Sequence, residues 1–454
     1  MKNKKYELNM TQGSIFKNII IFVIPLVIGN LLQVLYNAAD LVVVSRFAGS
    51  NAMASVGATG TFSGLIVNFC IGFAVGASVV VSRRFGADDK VGVSDSVHTA
   101  MLLSLILGVA AMAIGLFSSR FMLELMGTPE GVVLEGAVTY MKIYFLGVPG
   151  AMIYNFGASI LRAVGDTKRP LYILSLSGLL NVVLNVVFVV GFGMDVDGVA
   201  AATSIANYSS AAAVVWLLVK SDSICKLDIR KLKIHKMELR ETVKIGLPAG
   251  FQSSMFSISN MVIQSAVNSF GEAAIAGNAA VGNIESFIYV AMNSISQATV
   301  TGVSQNAGAR KNDRVKRTFF ITAAVVTVIG LVLGGICTLL AKPLLDIYIT
   351  DSVQALSFGL VRVGCVWMLY FLCGLMDVFS GALRGMGYSF MPMINSLLGA
   401  CAFRVLWMTV FLPLKRTPVM LFLCWPASWV LVILLHLVYM LFIRKGFEQK
   451  MGIY

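Results

Sequence analysis

Residues 161–170 read LRAVGDTKRP, and residues 383–392 read LRGMGYSFMP. Leu, Arg, Gly and Pro recur at matching places, offset by 222 residues. The match is not isolated. Pro25 in VIPLVIG pairs with Pro248 in IGLPAGF, and FAGSNAMA (47–54) pairs with FGEAAIA (270–276). FGADDK (85–90) pairs with NAGARKN (306–312), where Gly86 and Gly308 again differ by 222. An offset that stays at 222–223 from the first of these pairs to the last means that helix and loop lengths are duplicated together. The chain is a tandem repeat.

Composition says where that repeat lives. Of 454 residues, 57% are hydrophobic and only 13% charged, where soluble domains carry roughly a quarter charged residues. Each bilayer crossing needs about 20 apolar residues of helix. Twelve stretches qualify: about 16–44, 53–82, 95–118, 133–158, 169–191, 199–219, 242–268, 276–304, 317–341, 356–381, 390–412 and 420–443. They are too long and continuous for barrel strands, which alternate over about 10 residues. The first run is longer than the 7–15-residue core of a secretory signal, so it reads as an uncleaved first helix. The expected fold is all-α: a polytopic membrane protein with twelve transmembrane helices, arranged as two parallel six-helix repeats around a central cavity. Residues 1–219 form the first lobe, 220–241 a basic linker, and 242–454 the second lobe. Six spans per repeat bring both repeats in from the same side, so an axis along the membrane normal should relate them.

Charge orients the chain. With an even number of spans, the side that holds both termini carries 27 of the 35 Lys and Arg; the opposite side holds Arg46, Arg120, Lys342, Lys415 and Arg416. Lys142, Arg362 and Arg404 lie inside spans. Positive residues mark the cytoplasmic face, so both termini are expected to be cytoplasmic, in the cell (plasma or inner) membrane. The net charge of +13 is then an orientation signal. Nucleic acid is not an expected partner, because the basic loops are short and lack interleaved aromatics. Six of the seven Cys lie in apolar stretches, and His98, His235 and His436 are scattered. No catalytic cluster and no metal-ligand spacing emerges, so neither an enzyme nor a cofactor is expected. Small residues in VGATGTFSG (56–64) have the spacing that lets helices approach closely in lipid.

Polar residues inside spans are costly and therefore informative: an ionisable one costs about 2.5–3.5 kcal/mol at a helix centre. In span 1, Asn30, Gln33, Asn37 and Asp40 fall on one helical face. Pro25 removes a backbone hydrogen bond upstream and is a candidate hinge. Span 5 carries Asn181 and Asn185 one turn apart, at a depth where they can converge with Asp40. A carboxylate with amide oxygens suits a monovalent cation or a protonatable network; interhelical hydrogen bonding is the plainer alternative. In the second half, span 7 carries Gln252, Asn260, Gln264 and Asn268, and span 8 carries Asn283, Ser286, Asn293 and Gln297, with Glu285 on an adjacent face. Span 10 lines up Trp367, Tyr370, Gly374 and Asp377. Glu285 and Asp377 are further candidates for cation coupling, unless they pair with Arg404 or Arg362. The 222 offset carries neither onto an acid of the first half. The amide stripes and Tyr370 are the candidate lining of a substrate cavity.

Twelve spans as six plus six, the LRAVGDTKRP and LRGMGYSFMP turns, and an acid within YNAADLVVVSRFAG together resemble the MATE (multidrug and toxic compound extrusion) family. The resemblance covers nearly the whole chain. It implies an antiporter that exports organic, often cationic, drug-like compounds in exchange for H⁺ or Na⁺ by alternating access, working as a single chain. Asp40 matches the family's span 1 acid and Asn181 its span 5 Asn, so the resemblance points to Asp40 and Asn181 as the place for a Na⁺ if that ion is used. Asn185 stands where the family often has Asp, which removes one charge. Glu285 and Asp377 resemble the family's use of acids in the second lobe. The alternative reading is a flippase for lipid-linked or other amphipathic metabolites, which calls for cations facing a pyrophosphate. A channel or a non-transporting sensor is a third class, and gradient-dependent exchange would exclude a channel.

Overall fold

The computed structural model describes residues 6–349 and 352–450, and every regular element among them is helical. In the first half run α1 (Ile15–Val43), α2 (Gly49–Gly86), α3 (Lys90–Leu125), α4 (Val132–Ala163), α5 (Lys168–Asn185) and α6 (Val196–Lys220). In the second run α7 (Lys236–Asn268), α8 (Glu272–Gly308), α9 (Asn312–Leu339), α10 (Val353–Leu369 continued by Phe371–Gly385), α11 (Phe390–Leu414) and α12 (Pro418–Lys450). A short helix, Ala341–Asp346, follows α9. Among the described residues, nine of the twelve are long and apolar enough to cross a membrane, and α10, bent by 44°, makes a tenth. The remaining two, α7 and α8, have 33 and 37 residues. At about 1.5 Å per residue they too exceed a bilayer's hydrocarbon thickness. They fall short in apolarity because they carry the polar stripes.

The repeat extends to backbone angles. Gly165 and Gly387, in the two opening stretches, have φ of +86° and +87°. A side chain is unwelcome in that left-handed region, and a Cβ on Gly165 would also strike the carbonyl oxygen of Leu8 at 2.4 Å. Asp88 and Arg310, also 222 apart, have φ of +55° and +54°; they are the non-glycine residues with positive φ among those described. After Gly165 the copies diverge. Asp166 accepts from the Arg169 backbone N–H at 3.1 Å and forms an ion pair with its guanidinium, which lies 5.4 Å over the Tyr6 ring. Burial pushes the Asp166 carboxyl up from its usual range, and Arg169 pulls against that shift.

Contacts group the chain into two compact units. One holds Ile24–Ser254 with the residues just before Met10; the other holds Met10–Val23 and the chain from Met255 onward. The divisions therefore fall inside α1, next to Pro25, and inside α7, and linker 220–241 lies within the first unit. Pro25 is buried and α1 remains helical through it.

In the first unit α4 packs on α2, α3 and α6 around Phe145, Phe156, Met141 and Met152, all fully buried. The start of α7 crosses α2 at glycines. A Cβ on Gly72 would lie 2.1 Å from the Gly250 backbone, and one on Gly76 would lie 2.4 Å from the Thr242 carbonyl oxygen. Both helices thus use a G-x-x-x-G spacing, which in lipid gains van der Waals contact between backbones. The small residues at 56–64 do not serve this way: Gly57 and Gly60 face open space. Glu238, at the start of α7, is buried against Arg84 at 2.6 Å and Ser96 at 2.9 Å.

The second unit has a matching strap. Ahead of α1, the Met10 N–H donates to Gln305 at 2.8 Å. Lys311 donates to the Thr11 carbonyl at 2.9 Å, and Arg314 donates to the carbonyls of Met10, Gln12 and Gly13 at 2.9–3.2 Å. Here α8 packs on α9 and α10. The bend of α10 sits at Trp367–Tyr370 and contains no proline. Gly330 and Gly334 of α9 admit it, since a Cβ on either would meet Phe371 or Trp367 at under 3 Å.

Candidate functional site

The first repeat brings Asp40, Asn181 and Asn185 together, as their depths suggested. Asp40 is partly exposed on α1, while both Asn are buried on α5. Asn185 Nδ2 donates to Asp40 Oδ1 at 2.5 Å. With its amide oriented to suit its neighbours, Asn181 donates to Asp40 Oδ1 at 2.8 Å and Oδ2 at 3.2 Å. Thr203 of α6 lies 3.3 Å from the Asn181 amide. Asn185 Oδ1 has no hydrogen-bond partner although it is fully buried. Buried acceptors are rarely left unmatched without a reason. The carboxylate receives neutral amide donors and forms no ion pair among the described residues.

The backbone changes character beside this cluster. Four residues after Asp40, helix α1 passes into a π-turn at Val44–Ala48, and α5 does so directly after Asn185, at Val186–Gly191. Such single wide turns inside α-helices concentrate at functional sites. Val43, Val44 and Val189 pack together with Tyr140 of α4 against them, closing the apolar side. Tyr140 and Thr203 were not singled out from the sequence. Each does share a helical face with another polar-tipped residue one turn on, Tyr144 and Asn207, and that spacing is the signal that could have raised them.

The rest of the α1 stripe is mixed. Gln33 and Asn37 are exposed and Asn30 is half-buried. Gln252, on the first part of α7, is buried.

The second repeat gathers its polar residues differently. Glu285 forms a bidentate ion pair with Arg362: Nε donates to Oε1 at 3.1 Å, and Nη2 donates to Oε2. Trp367 Nε1 donates to Oε1 at 3.2 Å. Arg362 Nη1 donates to the Asn278 carbonyl at 3.1 Å and to its Oδ1. Asn278 donates in turn to Gln264 at 3.0 Å. The guanidinium lies 4.7 Å over the Trp425 ring and 5.8 Å over that of Phe422. Asn278 also went unmarked, though its place two turns before Glu285 on α8 is legible as a shared face.

Asp377 is not part of this set. Its backbone carbonyl accepts from Ser296 at 2.9 Å, and its carboxylate has no ion pair among the described residues. Tyr370 is buried at the bend, edge-on to Trp429. Asn293 and Gln297 bond each other at 2.8 Å. Asn260 accepts from Arg404 at 3.3 Å, and Arg404 also donates to Ser428 at 3.0 Å. Asn283 is exposed. No group of three His, Cys, Asp or Glu suited to a metal ion occurs among the described residues.

The MatE family signature matches residues 25–187 and 248–408, one block in each repeat. The chain belongs to the MatE family. This is a family of transporters rather than enzymes, and the chain is a multi-pass membrane protein. It is 27% identical over 394 residues to the "Probable multidrug resistance protein YoeA" of Bacillus subtilis, covering 85% of each chain. It is 24% identical to the "Probable multidrug resistance protein NorM" of Thermotoga maritima, covering 83% of this chain and 82% of that one. Among solved structures it superposes on a MATE protein "in the bent conformation" with a TM-score of 0.88 at 23% identity, covering 100% and 99% of the two chains. The MatE blocks include Asp40, Asn181 and Asn185 in the first repeat and Glu285, Arg362 and Asp377 in the second.

Proposed function

We propose that the protein is a secondary antiporter that exports organic, cationic, drug-like compounds in exchange for H⁺ or Na⁺ by alternating access. The observation that carries this reading is the Asp40 cluster. A carboxylate with no cationic partner sits beside a buried amide oxygen, Asn185 Oδ1, that accepts no hydrogen bond. Either ion answers that arrangement. A proton on Asp40 removes its charge and turns an acceptor into a donor, which Asn185 can match by turning its amide so that Oδ1 replaces Nδ2 against the carboxyl. A Na⁺ would take the carboxylate and amide oxygens, the hard donors such an ion prefers. Taking up either ion rewrites the bonds between α1 and α5 next to their π-turns, which is a route from ion binding to helix movement.

The amide stripes of α1, α7 and α8, with Tyr370, are the proposed lining for the organic cation, and Pro25 is the proposed flexing point of α1. Asp377 stays a candidate for a second proton-carrying group. Both termini are placed in the cytoplasm, in the cell membrane, and a single chain is the working unit. The relatives' names as multidrug resistance proteins support the cargo class. A flippase for lipid pyrophosphates is less well supported, since Arg362 and Arg404, the buried cations of the second repeat's spans among the described residues, are both engaged by protein partners.

The test is efflux of a fluorescent organic cation from proteoliposomes, with a pH or Na⁺ gradient imposed separately. Asp40→Asn should reduce gradient-driven flux to the level of protein-free vesicles. Undiminished flux in that variant would end the coupling role of Asp40.

A further inference from the structure

The repeat allows the ion cluster of the first half to be mapped onto the second. With the offset of 223 that holds through span 1, Asp40 becomes Ile263; with the 222 of the later spans, Asn181 and Asn185 become Phe403 and Trp407, Thr203 becomes Trp425, and Tyr140 becomes Arg362. The acid, both amides and the hydroxyl are thus replaced by apolar or aromatic groups, and one position gains a cation. That cation is not at large in the second repeat. Its guanidinium stacks 4.7 Å from Trp425, the residue that replaces a member of the cluster. It also satisfies both carboxylate oxygens of Glu285, an acid supplied from α8 instead of α7.

We infer that Arg362 is a tethered counter-cation: it permanently occupies, in the second repeat, the place where the first repeat takes its coupling ion. This rests on the reading of Asp40 given above. Glu285 then does not exchange an ion during transport, and the two repeats differ in who supplies the cation. In the first it comes from solution. In the second it is built into the chain, held by two carboxylate oxygens, Asn278 and an aromatic face. Replacing a buried pair by well-packed hydrophobic residues of similar volume is often tolerated, whereas removing one partner is not. That asymmetry makes the inference testable.

The experiment uses the full-length chain in proteoliposomes and the same fluorescent organic cation. The double variant Glu285→Leu/Arg362→Met removes both charges together. It should keep gradient-driven flux within about threefold of the parent. A double variant that binds the organic cation but no longer responds to the gradient would overturn the inference, and so would one that fails to fold. Arg362→Ala leaves the Glu285 carboxylate open. In detergent it should be stabilised against heat by millimolar guanidinium, with no such effect on the parent. Absence of stabilisation by guanidinium would count against a cation site at that place. Asp40→Asn, measured alongside, separates the two claims. If it stays coupled, the Asp40 reading fails whatever the double variant does. If it uncouples while the double variant stays coupled, both readings stand.

Discussion

The two repeats share a backbone and divide their chemistry. Their turns agree to within a degree or so of φ at Gly165 and Gly387, and at Asp88 and Arg310. Their polar clusters do not agree at all. In the first, a carboxylate faces two neutral amides and an unpartnered amide oxygen. In the second, a carboxylate is saturated by an arginine and an indole N–H. Duplicating a helix scaffold preserves what the backbone must do. It leaves side chains free to diverge as long as each buried charge is met by donors, whether neutral amides as at Asp40 or a cation as at Glu285. The first cluster is left incomplete, and the second completes itself.

That contrast can be broken in graded ways. The largest effect is expected from Asp40→Asn, which removes the open charge and should abolish gradient-driven efflux in vesicles while leaving the chain folded. Nearly as large is the transplant Tyr140→Arg, which places a guanidinium where the second repeat has one. It should close the Asp40 cluster and uncouple transport, with organic-cation binding retained. Coupling that persists in this variant would show that position 140 does not reach the cluster.

Arg362→Met strands the Glu285 carboxylate in a site where both partners are under a tenth exposed. Breaking such a buried pair should cost about 3–5 kcal/mol, read as a lower thermal midpoint in detergent. Gly250→Val tests the crossing of α2 and α7, because its Cβ would stand 2.3 Å from the Phe69 carbonyl oxygen. Overpacking there should cost about 1–3 kcal/mol or more. The smallest effects should come from the straps. Arg314→Ala loses donors to three backbone carbonyls, at about 1.5–3 kcal/mol before water replaces them at this half-exposed site. Glu238→Ala, which removes the corresponding buried partner of Arg84 and Ser96, should cost more than Arg314→Ala. Equal costs would mean that burial does not distinguish the two straps.

Much of the architecture was legible because membrane helices announce themselves locally. A run of about 20 apolar residues has few other readings, and a constant offset exposes a duplication without any contact information. The meeting of Asp40 with Asn181 and Asn185 was also legible, since depth in a bilayer follows from counting along each helix. The partner of Glu285 was legible only as a choice between Arg362 and Arg404. Which arginine it is depends on how α8 rotates against α10, and a helical periodicity does not carry that rotation. Close packing at 56–64 was expected from small-residue spacing, yet the contact formed at Gly72 and Gly76 with Gly246 and Gly250. Small-residue spacing occurs wherever glycine is common; only the crossing point of two particular helices makes it an interface.

The sequence by itself determined the twelve helices, their pairing into two repeats and the acid on α1. These follow from hydrophobicity and spacing, which act over a few turns. The tertiary structure decided which charges are open and which are spent. Burying an ionisable group is tolerable only with specific partners at hydrogen-bond distance. Those partners come from helices far apart in the chain: Asn185 is 145 residues from Asp40, and Arg362 is 77 from Glu285.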